Sequence, residues 1–518
     1  MKGILKLTAE STFALASNTS TSMTHADCFL VFSDEVEDMT LEGVDDAQRK
    51  ELLQTIKRFE WEAEQGSVTY CQSLGVYLVG LGECKDFSAA VLMNAVASLM
   101  KNALSAHMKT LSIFVRHELI DDPITVGKSI ALGYHLGNYT FDLYKKKKSG
   151  KPVEQMHIRV VGEAGPDTLE QIEQGTEIGE WSAAGVYLAR DLVNQPANAM
   201  NPSELARVAQ RIADESGGSV SVKVLERKEC EELGMGAYLG VTAGSDAPPK
   251  FIVLHYKPKE ALSNVKKICF VGKSITFDTG GLSLKPPSAM EDMKIDMAGG
   301  AAVLGLFETL ALMSREGDLE VEYEVYGVLA ACENMPSGGA MRPGDVVRGM
   351  SGETIEVLNT DAEGRLTLAD ALHYAQTKLK PDYLIDIATL TGASMVALGT
   401  DIAGLFSNKK KFGEQLTRVA QSEGDECWMM PLHMGYRENL KSHIADIANI
   451  TKDRYGGAIT AAVFLSDFVD KDIPWAHIDI AGPSFAAKAG KGIKAEGASG
   501  WGVLTFLGLL CESEIESE

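Results

Sequence analysis

Hydrophobic positions along the chain switch repeatedly between two periods. Short apolar runs of strand length ("DCFLVF" from Asp27, "VTYCQSLGVYLVGLG" from Val68, "TLSIFVRH" from Thr110 and "MHIRVVGEAG" from Met156) flank a helical stretch, "FSAAVLMNAVASLMKNAL" from Phe87. From Thr168 to about Val193 the pattern turns helical and amphipathic, and it stops at "NQPANAMNP", where Pro196 and Pro202 bracket an irregular segment. Beyond Pro202 the alternation is cleaner. "SVSVKVL", "PKFIVLHY", "KKICFVG", "EYEVYGVLAAC", "DYLIDIATL" and "WAHIDIAG" read as strands, and helical stretches separate most of them. Near-continuous apolar strands joined by helices imply a sheet that is largely parallel and covered on both faces.

The pattern therefore predicts an α/β chain of two domains, each with a mixed or largely parallel sheet flanked by helices, joined by a long linker helix. Residues 1–167 form the first domain, 168–201 the linker helix and interdomain segment, and 202–518 the second domain. In such sheets, sites form beyond the carboxyl ends of the strands. No internal repeat or low-complexity tract is visible.

Composition narrows the partners. The 72 acidic against 49 basic residues give a formal charge of -23, which repels phosphate backbones and argues against nucleic acid. The run Lys145 to Lys148, followed by Ser149-Gly150-Lys151-Pro152, reads as a solvated turn. Eight cysteines are scattered without a C-x-x-C pair, which points to reduced thiols. The N-terminal stretch "MKGILKLTAESTFALAS" is broken by Lys6 and Glu10 before any apolar core reaches signal-peptide length, and the C-terminal run "GWGVLTFLGLLC" is too short to span a bilayer. The expected address is the cytoplasm, with no membrane partner.

Three segments carry the candidate chemistry. "FVGKSITFDTGGLSLKP" places Lys273 and Asp278 after an apolar run and Lys285 beyond a Gly280-Gly281 bend; "MEDMKIDMAGGAAV" places Asp296 before a small-residue helix start. "VLNTDAEGRLTLADAL" places Asp361, Glu363 and Arg365 on alternate positions between an apolar run and a helix. The "GKS" at Gly272 is not a phosphate-binding loop, because the position five residues earlier is Lys267; the "GKS" at Gly127 fails in the same way at Asp122. If the carboxylates of Asp278, Asp296, Asp361 and Glu363 converge, their repulsion demands cations, and carboxylate-rich sites suit hard or borderline divalent ions. The histidines do not compete, since "HELID" at His117 lacks the second His of H-E-x-x-H. Taken one at a time, these residues have plainer readings. The acids could serve turns and helix N-termini, Lys273 and Lys285 could be solvated, Arg365 could be a surface ion-pair partner, and Met290, Met293 and Met297 could be helix core.

Co-occurrence overturns those readings. "NTDAEGRL" resembles the signature of the M17 leucyl aminopeptidase family, the cytosol aminopeptidases, and the other two segments resemble its remaining metal-site motifs in the family's order. "NQPANAMNP" is similar to the family's interdomain segment and "ATLTGA", from Ala388, to its substrate-binding strand. The resemblance implies two divalent cations per subunit, Zn²⁺ and/or Mn²⁺, with Co²⁺ or Mg²⁺ accepted at the exchangeable site. One ion goes to Lys273, Asp278, Asp296 and Glu363; the other goes to Asp278, Asp361 and Glu363, with the Asp361 carbonyl contributing. It further implies that Lys285 polarises the scissile carbonyl, that Arg365 holds a bicarbonate acting as general base, and that a metal-bridging water attacks. The implied side-chain pocket comprises Met293, Thr389, Leu390, Gly392 and Ala481. The implied substrates are peptides with a free N-terminus, preferably leucine-like, and the implied assembly is a homohexamer.

The chain departs from the family pattern at Ser274, where Gly is usual, and at Gly300, where Ala or Ser is commoner. Three other readings stand beside the leading one: a DNA-binding regulator, a scaffold with a dead site, and a narrower dipeptidase.

Overall fold

The computed structural model of the chain describes residues 4–10, 24–36, 41, 44–148, 151–162, 164–258, 265–317, 319 and 321–518. The stretch from Ser11 to Ser17 and the Ser149-Gly150 pair, read above as lacking a signal core and as part of a turn, lie outside these residues. The chain forms two compact units, residues 1–184 with 488–496, and residues 185–487 with 497–518.

The first unit holds a six-stranded sheet. Its strands are β1 (Ile4–Glu10), β2 (His25–Val31), β3 (Val68–Cys71), β4 (Val76–Gly80), β5 (Thr110–Arg116) and β6 (Gln155–Val161), in the order β1-β6-β5-β2-β4-β3. Every pairing is parallel except β3 with β4. That pair is the hairpin inside the long apolar run after Val68. The helices Ala89–Ser105 and Pro123–Asn138 cross closely because Gly133 and Gly137 carry no Cβ; one would meet Met93 O at 2.6 Å and Ala97 O at 2.7 Å. Residues 488–496 are held in this unit by Lys101, whose ammonium donates to the carbonyls of Gly490 (2.9 Å) and Lys494 (2.7 Å).

One helix, Pro166–Asn194, carries the chain from the first unit into the second, and the division falls between Ala184 and Gly185 within it. Turns over residues 195–200 then lead to the helix Pro202–Glu215, capped by Asn201, whose side chain accepts from the amides of Ser203 and Glu204.

The second unit is built on a nine-stranded sheet. Its strands are β7 (Val220–Leu225), β8 (Lys250–Tyr256), β9 (Lys267–Gly272), β10 (Ile275–Asp278), β11 (Glu324–Asn334), β14 (Tyr383–Ala388), β15 (Ala403–Ser407), β16 (Cys427–Met429) and β18 (Trp475–Asp479). The small sheet of β12 (Val346–Arg348), β13 (Thr354–Glu356) and β17 (Ile447–Ala448) stands apart. Along the main sheet the order is β16-β15-β18-β14-β9-β11-β8-β7, with β10 beside β11. The centre, β18-β14-β9-β11, is parallel; β15 against β18, and β8 against β11 and β7, are antiparallel. The helix Ala298–Glu316 lies close against β9, where a Cβ at Gly272 would meet Gly299 O at 2.6 Å and one at Gly299 would meet Ile387 O at 2.1 Å. The stretch Pro287–Glu316 is long and apolar enough to cross a membrane, but its apolar window is 89% buried inside the fold, as a core helix is. All eight cysteines are free.

Candidate metal centre

The three segments read from the sequence meet beyond the carboxyl ends of the central parallel strands. Lys273 is the first residue after β9, Asp278 ends β10, and Asp296 sits in the short 3₁₀ turn Met293–Met297 before the helix Ala298–Glu316. Asp361 and Glu363 lie on the loop entering the helix Gly364–Tyr374. One carboxylate oxygen from each of Asp278, Asp361 and Glu363 falls within 4.8 Å of the others. Asp296 joins them through Lys273, whose ammonium lies 2.7 Å from Asp296 Oδ1 and 2.9 Å from Glu363 Oε1 and donates to Thr389 O at 3.0 Å. Lys285 pairs with Asp278 Oδ2 at 2.7 Å and with Asp361.

This geometry disposes of the plainer readings. Glu363 stands at the N-cap of its helix and Asp296 in the turn before its own, yet neither end is capped by a side-chain hydrogen bond. Lys273 is 3% exposed and Arg365 7%, so neither is a solvated surface group. Of the three methionines only Met297 is core; Met290 and Met293 are half-buried.

Four carboxylates against two ammonium groups leave the cluster anionic. Burial first, and then the charge of Glu363, push the Asp278 carboxyl above its usual range; burial alone among the leading causes raises Asp361, against the pull of Lys285. Asp296 is raised further by complete burial, which Lys273 only partly offsets. For Lys273, burial works against the charged form, but the negative charges of Asp296, Glu363 and Asp278 outweigh it and raise the pKa. Lys285 follows the same balance, with Asp278 and Glu363 as the winning charges. Two buried oxygens, Asp296 Oδ2 and Glu363 Oε2, have no hydrogen-bond partner. Orphaned buried carboxylate oxygens are costly unless a cation takes them. An oxygen-rich donor set with one amine, carrying surplus negative charge and two free oxygens, fits divalent cations.

Several positioning residues have no local signature. Asn334, at the end of β11, donates to Asp278 Oδ1 (2.8 Å) and Thr360 O (3.0 Å). Asp479, at the end of β18, accepts from the amides of Leu390 (3.1 Å) and Ala481 (3.2 Å) and from the Thr391 hydroxyl (2.6 Å). The two strand-end segments holding Thr389, Leu390 and Ala481 are therefore tied to one buried carboxylate. Thr389 also donates its hydroxyl to Asp296 Oδ1 at 2.7 Å. A Cβ at Gly392 would meet nothing within 4 Å, so open space lies beside it. Neutral amides and a strand-end acid far away in sequence give no spacing to read. Within "HIDIAG" the resemblance reached Ala481, but Asp479 carried only a strand signal.

The two departures from the family pattern face each other. A Cβ at Gly300 would lie 2.1 Å from Ser274 Oγ, so the serine fills the room that an alanine side chain would need. Ser274 is fully buried, donates to Gly272 O at 2.9 Å, and directly follows Lys273. Gly300→Ala alone is expected to cost about 1–3 kcal/mol as an overpacked site, and Ser274→Gly in the same chain to recover most of it. Denaturant midpoints of the two single variants and the double variant measure the coupling. A Gly300→Ala penalty unchanged by Ser274→Gly would show the two positions to be independent.

A mixed α/β sheet with a buried carboxylate and lysine cluster beyond its central strands is a framework for divalent cations. The chain belongs to the cytosol aminopeptidase family: residues 187–507 match the family's catalytic domain and residues 29–148 its N-terminal domain. It is 41% identical over 468 residues to the "Probable cytosol aminopeptidase" of Sulfurihydrogenibium sp. (strain YO3AOP1), covering 89% of this chain and 90% of that one. To the protein of the same description from Gloeothece citriformis (strain PCC 7424) it is 44% identical over 464 residues, 88% and 90% of the two chains. Among solved structures, a mutant of tomato leucine aminopeptidase superposes with a TM-score of 0.81 at 32% identity, over 98% of this chain and 96% of that one. The bottromycin maturation enzyme BotP in complex with Mn gives 0.79 at 31% identity, over 94% and 99%. The protein is thus an aminopeptidase that acts on peptides and depends on metal.

Proposed function

We propose that the protein removes N-terminal residues, preferably leucine-like, from peptides with a free α-amine, using two divalent cations and a bicarbonate. The observation that carries this is the convergence of Lys273, Asp278, Asp296, Asp361 and Glu363 with two partnerless carboxylate oxygens among them. Lys273, Asp278, Asp296 and Glu363 would hold one ion, and Asp278, Asp361 and Glu363, with the Asp361 carbonyl, the other. Zn²⁺ and/or Mn²⁺ are the expected pair, with Co²⁺ or Mg²⁺ accepted at the exchangeable position; the likeness to a manganese complex supports Mn²⁺. When bound, the ions lower the pKa of a water to near neutrality and polarise the scissile carbonyl.

The chain's own residues supply the rest. Lys285, kept cationic by Asp278 and Glu363, donates to the oxygen on which negative charge develops. Burial pushes the Arg365 guanidinium down to about 10, so it remains charged at neutral pH. Its Nε has no partner and its planar fork suits an oxyanion, which makes it the seat for bicarbonate as general base. Lys273 would be a ligand only as a neutral amine, so loading of the site would release its proton to solvent. Met293, Thr389, Leu390, Gly392 and Ala481 form the pocket for a leucine-like side chain. The likeness to tomato leucine aminopeptidase supports that preference.

Residues 202–518 act as the catalytic domain behind the 168–201 linker, and residues 1–167 serve interaction and assembly. A homohexamer in the cytoplasm is the proposed state. The test is hydrolysis of leucyl-7-amido-4-methylcoumarin by metal-stripped protein re-supplied with Zn²⁺, Mn²⁺, Co²⁺ or Mg²⁺, beside the N-acetylated substrate. Metal-restored turnover of the free amine and none of the acetylated compound is expected. Equal turnover of both would rule out the free-amine requirement, and inactivity with every ion would overturn the proposed reaction.

A further inference from the structure

We infer that Asn449, which lies far along the chain from the acidic signature, is the positioning residue that holds the metal loop and Arg365 in register. It is fully buried just after β17 and is neither charged nor part of any segment singled out in the sequence. Its own amide donates to Glu356 O at 2.9 Å, continuing the pairing of β17 with β13. The side chain then spends both ends of its amide on the loop that follows β13. Oδ1 accepts from Leu358 N (2.9 Å) and Asn359 N (3.4 Å), while Nδ2 donates to Asn359 O (2.7 Å) and Ala362 O (3.4 Å). Two N–H groups face the oxygen and two carbonyls face the nitrogen, so only this orientation of the amide satisfies them.

These contacts lead directly to the chemistry. Asn359 Oδ1 in turn accepts from Asp361 N at 2.9 Å, and Ala362 is the residue before Glu363. On its main-chain side, Asn449 O accepts from Arg365 Nη1 at 2.7 Å, with that guanidinium over the Phe464 ring. With Thr360 held separately by Asn334, Ser283 and Gly280, Asn449 places the residues that flank Asp361 and Glu363 and sets where the free edge of Arg365 points. The loop needs such a pin: past Val357, whose backbone bonds Gly344 and Asp345, no strand or helix holds it until Gly364–Tyr374, and it carries two carboxylates that repel each other. A buried network of this kind is rigid only while every member is satisfied.

The inference rests on the proposed metal reading, and its test separates the two. Asn449→Ala and Asn449→Asp are compared with wild type by calorimetric titration of the metal-stripped protein with Mn²⁺ and by steady-state kinetics on leucyl-7-amido-4-methylcoumarin. The alanine variant removes all four side-chain bonds. The aspartate variant keeps volume and the acceptor oxygen but sets a charged oxygen against two carbonyls, so it carries the test should the alanine variant not fold. Outer partners of metal ligands are worth roughly 10–100-fold in affinity or activity. Expected, in folded protein judged by circular dichroism, is a weakening of Mn²⁺ binding in that range with a similar fall in kcat, while KM stays within about threefold. A folded variant with wild-type Mn²⁺ affinity and kcat, altered only in melting temperature, would reduce Asn449 to packing and overturn the inference. Wild type that takes up no Mn²⁺ would instead sink the metal reading and the inference with it.

Discussion

Glu363→Gln is expected to abolish measurable hydrolysis of leucyl-7-amido-4-methylcoumarin at ordinary metal concentrations, through loss of ion binding. The side chain is 1% exposed, pairs with Lys273 at 2.9 Å, lies within 4.8 Å of the Asp278 and Asp361 ligand atoms, and keeps Oε2 without a partner. Glutamine preserves volume but puts an uncharged amide where a buried carboxylate stood. Removing one member of a buried charge pair costs about 3–5 kcal/mol of folding stability, and the missing anionic donor weakens ion binding besides. Metal titration of the variant should show that loss, and excess ion should recover only part of the activity. Wild-type ion affinity in Glu363→Gln would remove this residue from the centre.

Lys285→Ala is expected to behave in the opposite way towards metal. Its ammonium pairs with Asp278 Oδ2 at 2.7 Å and with Asp361, so it competes with a cation for those carboxylates. Deleting it should leave ion affinity unchanged or raise it, and should lower kcat by about 10²–10³, the size found for one electrostatic stabiliser of a developing oxyanion. KM should move little, because the interaction strengthens only as charge develops. Titration and kinetics on the same preparation separate the two lysine-carboxylate pairs by role. A Lys285→Ala variant that loses metal together with activity would make Lys285 a structural counter-ion.

The central strands were legible because each is apolar on both faces, and such runs stand out from amphipathic helices by length and composition. Strand direction was not legible. "SVSVKVL" and "PKFIVLHY" look like the others, yet β7 and β8 run antiparallel at one edge, since hydrophobic pattern encodes burial and not polarity of the chain. Short strands such as β15, "AGLFS", escaped notice because five residues that include a glycine carry little periodicity. At the site, Lys273, Asp278, Asp296, Asp361 and Glu363 stood out because each lies in a compact local motif. Asn449, Asn334 and Asp479 did not, because their work depends on contacts across the fold that leave no spacing in the sequence.

The most direct measurement of the metal centre is an anomalous difference map from crystals of the protein equilibrated with Zn²⁺, collected on both sides of the zinc edge. Two peaks per chain are expected, each with carboxylate oxygens about 2.0–2.2 Å away: one held by Lys273, Asp278, Asp296 and Glu363, the other by Asp278, Asp361 and Glu363. A single peak, or peaks ligated by other residues, would contradict the two-ion centre.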